Sequence, residues 1–392
     1  MSHRLAVVLS HPTQYYSPWF RWLRTHTVLE FRVFYLSEIG VTAQRDPQFL
    51  TTFQWDVDLL SGYDHEFVPN IARRPGTDHF WGLRNPTLTA QLSAWSPDAV
   101  LLFGYAYASH LRVVTWARRR RVPLIFRGDS HFLGRAAPSG FRGFLLRQLY
   151  RRFAAVTYVG RANRDYFASL GVRPEKMFFA PHAVNDALFD PAAPGLPAAA
   201  SALRTQLGLM PDTRIVLFAG KFVAAKQPRE LLEAYLAVYR PGTALVFVGD
   251  GLEKAALQER AHSAPAGSVH FLPFANQSEM PARYLLADVF ALPSRGLYET
   301  WGLAINEAMH LGRPCLVSDR VGCQQDLVTD GETGWVFCAN DAASLCAKLA
   351  VALSVDLAPF QSRVATRIAG YTYAQTSAGL LAALASLPPP RA

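Results

Sequence analysis

The sequence of 392 residues contains few cysteines and few lysines, and it has no long apolar run. The first cysteine is Cys315, and the spacings of the four cysteines fit neither a zinc ribbon nor a redox pair. A secreted disulfide framework would not leave the chain before Cys315 without a cysteine. No apolar segment reaches the ~18 residues that a membrane-spanning helix needs. A strand-like segment follows the amino terminus without a small-residue cleavage site, so we expect a reduced, cytoplasmic protein.

Acidic residues do not balance the basic ones in the first half of the chain. Residues 1–200 contain 23 Lys and Arg against 14 Asp and Glu, whereas residues 201–392 contain 16 of each. Within residues 101–152 there are 11 arginines and a single acid, Asp129. Such a field favours an anionic partner: acidic lipid, a phosphorylated substrate or nucleic acid. Since no nucleic-acid-binding motif or basic groove with interleaved aromatics accompanies the arginines, nucleic acid is not the expected partner.

Short β-rich runs alternate with helical stretches through the whole chain, which is typical of parallel α/β layers. Strands are predicted at residues 5–9, 29–36, 99–103, 122–126, 155–159, 214–218, 244–248, 269–272, 289–292, 315–318 and 334–337. A Pro- and Ala-rich segment at 181–200 has the composition of a linker. We therefore predict an α/β protein of two doubly wound domains, residues 1–185 and 200–370, facing each other across a cleft.

Two glutamates lie eight residues apart around a glycine and an apolar helical run. Glu299 precedes Thr300, Trp301 and Gly302, and Glu307 lies two turns into the helix. A helix start offers free N–H groups and a positive dipole to an anion, so Glu299 could bind hydroxyl groups beside a bound anion. The alternative is an ordinary amphipathic helix with two solvated acids.

A second signal is a pair of lysines in a chain that has only five. Lys221 follows Gly220 at the end of a predicted strand, and Lys226 comes five residues later. Lysine offers phosphate a compact positive charge, although a solvated turn is the alternative. Asp250 lies between two glycines at the end of the next strand. This turn is not a dinucleotide-binding fingerprint, because Lys254 occupies the third glycine position.

These motifs belong to a series that runs almost continuously through the second half of the chain. In order, the series is Gly220-Lys221 with Lys226, Val248-Gly249-Asp250-Gly251, Ala287-Asp288-Val289, Pro293-Ser294, Glu299-Thr300-Trp301-Gly302-Leu303, Glu307-Ala308-Met309, Gly312-Arg313-Pro314, Ser318 and Asp330-Gly331-Glu332-Thr333-Gly334. The series resembles glycosyltransferase family 4 of the GT-B fold. In the first half, His11-Pro12-Thr13-Gln14-Tyr15 and Arg127-Gly128-Asp129-Ser130 are similar to a bacterial subset of that family with an H-P-x-Q-Y start.

The resemblance implies a retaining, metal-independent transferase that moves a sugar from a nucleotide-diphosphate sugar to an acceptor hydroxyl, without a cofactor, in cell-surface polysaccharide or glycoconjugate synthesis. Lys221 and Lys226 would clamp the diphosphate, Glu299 would hold a donor-sugar hydroxyl, and Glu307 would hold the ribose. The other implied donor-binding residues are Gly220, Asp250, Phe274, Asn276, Thr300, Trp301, Gly302 and Leu303. The implied acceptor-side residues are His11, Gln14, Tyr15, Arg127, Asp129 and His131. A nucleotide-sugar-binding protein without transfer activity and a sugar-nucleotide epimerase are the alternatives.

Two features depart from the family pattern. The usual Gly-Gly turn after the first strand is replaced by His11 to Tyr16, and the histidine that many members carry after the strand at 122–126 is absent. Arg127 and Asp129 stand there instead, and a structural ion pair between them is the alternative to a role in the cleft. The segment from Tyr371 to the carboxyl terminus resembles the closing helix of the family, which implies that it packs back on the first domain.

Two surface patterns also have two interpretations each. Asp56-Val57-Asp58 matches the D-x-D metal motif of another glycosyltransferase fold, but the GT-B resemblance favours a loop over the acceptor opening. A helix pattern places Phe141, Phe144, Leu145, Leu149 and Phe153 on one face, with arginines on the other side. This pattern suits an anionic membrane surface, although a helix packed on its own sheet gives the same pattern. The basic first half therefore favours a lipid-linked or phosphorylated acceptor and a peripheral location on the membrane, with a soluble small molecule as the alternative acceptor.

Overall fold

The computed structural model describes residues 3–42, 44–45, 52–296 and 299–389. The elements of the first part of the chain are β1 (Arg4–Leu9), α1 (Tyr16–His26), β2 (Glu30–Tyr35), β3 (Gln44–Arg45), β4 (Thr52–Phe53), β5 (His65–Phe67), α2 (Leu88–Trp95), β6 (Ala99–Phe103), α3 (Ala108–Arg120), β7 (Leu124–Arg127), α4 (Gly140–Tyr150), β8 (Ala155–Tyr158), α5 (Arg161–Ser169) and β9 (Met177–Phe179).

The second part of the chain repeats the alternation of strands and helices. Its elements are α6 (Leu196–Gln206), β10 (Arg214–Ala219), α7 (Pro228–Val238), β11 (Thr243–Val248), α8 (Lys254–Ala261), β12 (Val269–Leu272), α9 (Met280–Leu286), β13 (Val289–Leu292), α10 (Leu303–His310), β14 (Cys315–Ser318), α11 (Gln324–Leu327), β15 (Gly334–Phe337), α12 (Ala342–Ala352), α13 (Ala358–Ile368) and α14 (Tyr373–Ala385). In the part of the chain that the structure describes, no helix combines the length and the apolarity that crossing a membrane requires.

The two large sheets are parallel throughout. The first has the strand order β5-β2-β1-β6-β7-β8-β9, and the second has the order β12-β11-β10-β13-β14-β15. Val7 of β1 pairs with Val33 of β2 and Leu101 of β6, which fixes the register at the centre of the first sheet. The prediction of two doubly wound α/β domains that face each other is confirmed.

The central strands form because they are apolar on both faces, as strands covered by helices on both sides must be. The side chains from Leu5 to Val8 in β1, and those from Ile215 to Phe218 in β10, are completely buried. The sequence analysis did not identify β5 and β9, which form the edges of the first sheet. Each has only three residues, all half-buried, so neither shows a pattern of hydrophobicity long enough to be recognised.

The predicted linker is shorter than its composition indicated. Helix α6 begins at Leu196, with Pro197 in its first turn and three alanines after it. Proline is well accommodated in a first helical turn and alanine is the strongest helix former, which explains why this Pro- and Ala-rich stretch is helical.

The last helix crosses back to the first domain. Helix α14 lies against α1, β8 and β9. The indole Nε1 of Trp19 donates a buried hydrogen bond of 2.9 Å to Ser377 Oγ. A Cβ atom on Gly379 would lie 1.9 Å from the carbonyl oxygen of Phe179, so the absence of a side chain permits the close approach of helix and strand. The chain therefore passes between the two domains twice, once before α6 and once before α14.

The sheet order determines where a ligand can enter. In each sheet the chain reverses its direction of winding beside the central strand, β1 or β10, and loops after such strands leave a crevice at the carboxyl edge. The loops after β1, β10 and β13 reach the same space between the domains.

Candidate active site

A cavity of about 360 Å³ lies between the carboxyl ends of the two sheets. Its volume lies within the range of small-molecule sites. The predicted site residues that line it are Gln14, Tyr15, Asp129, Gly220, Lys226, Phe274, Glu299, Thr300, Trp301, Gly302, Leu303 and Glu307. The structure thus brings residues from both domains around one space.

The first turn of α10 forms one wall of the cavity. Gly302 precedes this helix with φ of 98°, a conformation that favours glycine, and a Cβ atom there would lie 3.0 Å from Val321 Cγ1. The indole of Trp301 donates to Asn306 Oδ1 at 2.8 Å, which fixes the turn onto the helix. Since Gly302 and Leu303 line the cavity, the positive end of the helix dipole faces the space where an anion would bind.

Lys226 supplies positive charge beside that helix. Its Nζ donates directly to Glu299 Oε2, and both side chains line the cavity. Glu299 is 12% exposed and Lys226 is 28% exposed. The interpretation of Glu299 as a solvated acid is therefore inconsistent with the structure. A phosphate group entering the cavity would compete with Glu299 for the ammonium group.

Glu307 is buried on the far side of the cavity and is held by polar side chains. Its carboxylate accepts hydrogen bonds from Gln277 Nε2 at 2.9 Å and from the Tyr284 hydroxyl at 2.7 Å. Burial raises the pKa of Glu307, and these hydrogen bonds oppose the effect. The phenol of Tyr15 faces the same carboxylate from the other domain, and its pKa is raised by burial and by Glu307.

Asp129 and Thr300 join the two domains at the mouth of the cavity. Thr300 Oγ1 donates to Asp129 Oδ2 at 2.7 Å, and Nε2 of His182 lies 3.5 Å from the same oxygen. Burial alone would raise the pKa of Asp129, but His182 and Thr300 more than offset it and lower the pKa to about 2. Asp129 is therefore charged, and its contacts are with His182 and Thr300 rather than with Arg127.

Arg127 and His131 lie next to the cavity without lining it. Arg127 is buried and donates to the carbonyl oxygens of Ala180 at 2.9 Å and Pro181 at 3.3 Å, so it fixes the segment that leads into the second domain. Nδ1 of His131 accepts from the amide of Leu133 at 3.0 Å, which leaves Nε2 to donate to the carbonyl oxygen of Glu299 at 3.3 Å. Both residues position other parts of the site.

Four other predicted residues also lie outside the lining. His11 contacts Ser10 Oγ at 3.0 Å, and burial lowers its pKa to about 4. Asp250 accepts from Lys254 Nζ at 2.7 Å and from the following amide at 2.8 Å. Lys221 follows Gly220 but is not among the lining side chains. The side chain of Asn276, the fourth of these residues, contacts the opposite domain.

A loop of the first domain reaches across the cleft to Asn276. Its Nδ2 donates to the carbonyl oxygen of Gln54 at 2.7 Å, and Ser278 Oγ donates to the carboxylate of Asp56. Trp55, between these two loop residues, lines the cavity. The segment with the D-x-D pattern is thus a loop that bridges the domains. In the described part of the chain, no group of three or more His, Cys, Asp or Glu is arranged to hold a metal ion.

The sequence analysis did not identify several lining residues as part of the site: Tyr16, Trp55, His182, Gln277 and Tyr284. Gln277 and Tyr284 are 30 and 23 residues from Glu307, so local sequence patterns give no signal of the contact. For His182 the sequence does offer an indication that it belongs to the site. It stands where the chain passes from one domain to the other, and such a segment must border the cleft.

Two protein families match this chain, and together they cover most of it. The family described as "Glycosyl transferases group 1" matches residues 200–369, and the family described as "Glycosyl transferase 4-like domain" matches residues 41–183. A D-inositol 3-phosphate glycosyltransferase of Nocardia farcinica is 32% identical over 47% of this chain and 43% of its own length.

A second relative, a GDP-mannose-dependent alpha-(1-6)-phosphatidylinositol monomannoside mannosyltransferase of Mycolicibacterium smegmatis, is 32% identical over 51% of this chain and 53% of its own length. The chain therefore spans about half the length of the curated relatives it matches.

Solved structures share the fold over almost the whole chain. The Anabaena protein Alr3699/HepE, solved with UDP and glucose, has a TM-score of 0.70 and 18% identity and covers 98% of this chain and 100% of its own. A glycosyltransferase from Rickettsia africae has a TM-score of 0.73 and 13% identity over 98% of each chain. These likenesses confirm the predicted fold, the GT-B arrangement of two facing Rossmann-like domains.

Buried histidines make the stability of this fold depend on pH. His110 of α3 is almost completely buried, and burial lowers its pKa to about 3. An unfolded histidine binds its proton near pH ~6.5, so acid favours the unfolded chain. Between pH 7 and pH 5 the unfolding free energy of the wild type should fall by about 2 kcal/mol more than that of His110→Leu.

Urea unfolding at pH 7 and pH 5 measures this difference. His262→Leu, on an exposed residue at the end of α8, is the control and should keep the pH dependence of the wild type. Equal pH dependence in the wild type and His110→Leu would show that His110 does not stay neutral in the folded protein.

Proposed function

Because two glycosyltransferase family models match residues 200–369 and 41–183 of this chain, we propose that it is a retaining glycosyltransferase acting on a nucleotide-diphosphate sugar. The acceptor is a hydroxyl group, and the product belongs to cell-surface polysaccharide or glycoconjugate synthesis. The observation that carries this proposal is the meeting of Lys226, Glu299 and the first turn of α10 at one cavity between the domains. Positive charge and a helix start together suit a diphosphate, and an adjacent carboxylate suits sugar hydroxyls.

In this mechanism the diphosphate is the leaving group. Lys226 and the α10 amides stabilise the negative charge that develops on it as the glycosidic bond breaks. Lys221, which follows Gly220 at the same strand end, does not line the cavity; in this proposal its side chain turns toward the diphosphate when the donor binds and adds a second positive charge. Since these groups neutralise the diphosphate, the mechanism assigns no metal ion to the site. Glu307 holds the ribose, and Phe274 lies beside the base.

The carboxylates of the cavity favour departure and attack on the same face of the sugar. Asp129 accepts from Thr300, Glu299 accepts from Lys226, and Glu307 accepts from Gln277 and Tyr284. Each lining carboxylate is thus engaged in hydrogen bonding, and the proposal assigns all three to binding and none to a covalent intermediate. We therefore propose that the acceptor hydroxyl attacks from the side of the leaving phosphate and gives its proton to a phosphate oxygen.

Closure of the cleft protects the donor from water. The bridge from Asp56 to Ser278 and the hydrogen bond from Thr300 to Asp129 hold the two domains together on either side of the cavity. The two passages of the chain between the domains provide a hinge. The donor would enter when these contacts open, and transfer would follow when they form again.

The acceptor proposed here is phosphorylated or lipid-linked, and the protein is cytoplasmic and peripheral on the membrane. Two observations support this. The relatives' names include D-inositol 3-phosphate and a phosphatidylinositol monomannoside, and the first half of this chain carries the whole net charge of +9. In α4, Phe141 is 76% exposed, and Phe144 and Leu145 are each 50% exposed, beside the exposed Arg142. Exposed apolar groups with arginine suit an anionic bilayer surface.

Nucleotide binding tests the site directly. The melting temperature is measured with UDP, GDP, ADP, dTDP and CMP. A nucleotide at a hundred times its dissociation constant adds ~2.7 kcal/mol of stability, so one of them should stand out. Lys226→Ala should abolish most of that shift and slow transfer roughly a hundredfold, because it removes a charge contact to the leaving group. Lys348→Ala is the matched control, since Lys348 forms an ion pair with Asp330 away from the cavity.

A Lys226→Ala protein that binds and turns over like the wild type would contradict the assigned diphosphate site.

Incubating the preferred donor with and without acceptors separates the alternatives. An epimerase changes the donor sugar without an acceptor, and a binding protein leaves it unchanged with every acceptor. The anomeric configuration of the first product, measured by NMR, must equal that of the donor if the enzyme is retaining.

Vesicle binding tests the proposed membrane surface. The wild type should bind phosphatidylcholine vesicles that contain phosphatidylglycerol more strongly than vesicles of phosphatidylcholine alone. The double variant Phe141→Ser/Phe144→Ser should lose most of this binding. The control is Met210→Ser/Leu252→Ser, which removes two comparably exposed apolar side chains from the second domain. Equal binding by all three proteins, or an equal loss in both variants, would contradict a role for α4.

A further inference from the structure

His182 is a buried polar side chain whose Nε2 lacks a well-formed hydrogen bond within the protein. It is 5% exposed and lines the cavity, and its Nε2 has no hydrogen-bond partner. Asp129 Oδ2 lies 3.5 Å from that nitrogen, a contact distance rather than a well-formed hydrogen bond. A buried polar atom without a partner costs free energy, so a ligand that supplies one would be favoured there.

The backbone around His182 is held in place from both domains. Arg127 of the first domain donates to the carbonyl oxygens of Ala180 and Pro181, and Thr376 of α14 donates to Pro181 at 2.8 Å. Asn306 of α10 donates to the carbonyl oxygen of His182 at 3.1 Å. The carbonyl oxygens of three successive residues, 180 to 182, thus accept hydrogen bonds. These bonds fix the backbone that carries the imidazole before a ligand binds.

The cavity has two walls of different character, and His182 belongs to the wall that carries Asp129. Lys226 and the first turn of α10 suit phosphate. On the His182 side, burial and the nearby Arg127 lower the pKa of the imidazole, and Asp129 opposes them. The pKa of Asp129 is lowered to about 2, so this carboxylate is charged and repels phosphate. A hydroxyl group, however, can donate to the carboxylate and accept from a ring N–H at once.

We propose that His182 and Asp129 together bind one hydroxyl group of the sugar being transferred, and so set the orientation of that sugar above the leaving diphosphate. His182 would supply a polar contact from the passage between the domains, beside the one that Asp129 supplies after β7. This inference rests on the proposed function, since it requires a nucleotide sugar in the cavity. It assigns sugar selectivity to a residue outside both sheets.

The test separates the sugar from the nucleotide. Dissociation constants of the preferred nucleoside diphosphate and of its nucleotide sugar are measured by calorimetry for the wild type, His182→Ala and His182→Asn. His182→Ala should weaken nucleotide-sugar binding about tenfold, the effect expected for one hydrogen bond, and should leave nucleoside-diphosphate binding within about twofold. His110→Ala is the control, because His110 is equally buried and unpartnered but lies away from the cavity.

Deoxygenated donors identify the hydroxyl group. Removing the bound hydroxyl from the donor should weaken binding to the wild type about tenfold and should add little further loss in His182→Ala or Asp129→Asn. The proposal is wrong if His182→Ala and His182→Asn weaken the binding of the nucleoside diphosphate and of the nucleotide sugar equally. It is also wrong if these variants raise only the KM of the acceptor. If the wild type binds no nucleotide sugar at all, the proposed function itself fails, and this result is distinct from the others.

Discussion

The contact between Asp129 and Thr300 is the interaction on which the candidate site depends. It joins the loop after β7 of one sheet to the turn that starts α10 of the other, at 2.7 Å. His131 adds a second link by donating to the carbonyl oxygen of Glu299. Because these links come from two separately folded sheets, the cavity exists only when the domains are docked. When these contacts between the domains open, the residues of the site separate, and when the contacts form again the site is assembled.

The two domains contribute opposite charges to the cavity. The second domain contributes Lys226 and the positive end of α10, and the first domain contributes Asp129 and its neighbour His182. A nucleotide sugar has the same polarity, since it carries two anionic phosphates at one end of the bond to be broken and a neutral ring at the other. The arrangement orients such a donor by electrostatics and leaves hydrogen bonds to select the sugar.

Much of the second domain could be predicted from the sequence, because its functional groups follow the ends of recognisable strands and stand close together in the chain. Gly302 indicates the start of α10, and Glu299 and Glu307 lie before and after it in the chain. The first domain was harder to interpret. Arg127 and His11 have the residue types of a site but do not line the cavity, and only the packing around each side chain shows this.

Contacts between residues far apart in the chain account for the rest. Tyr284 and Gln277 hold Glu307, and Asp56 reaches Ser278 across the cleft, at separations that no local pattern encodes. The prolines and alanines around His182 predict only a linker. The position of His182 between two facing domains is more informative, because the chain must run beside the cleft where it passes from one domain to the other.

The central claim is that a diphosphate binds between Lys226 and the first turn of α10, with the sugar directed at Asp129 and His182. A crystal structure of the protein with its preferred nucleotide sugar, or an unreactive analogue of it, tests this most directly. We expect phosphate oxygens within hydrogen-bonding distance of Lys226 Nζ and of the Leu303 amide, and a sugar hydroxyl beside Asp129. A nucleotide bound in the cleft with its phosphates directed away from α10, or bound outside the cleft, would contradict it.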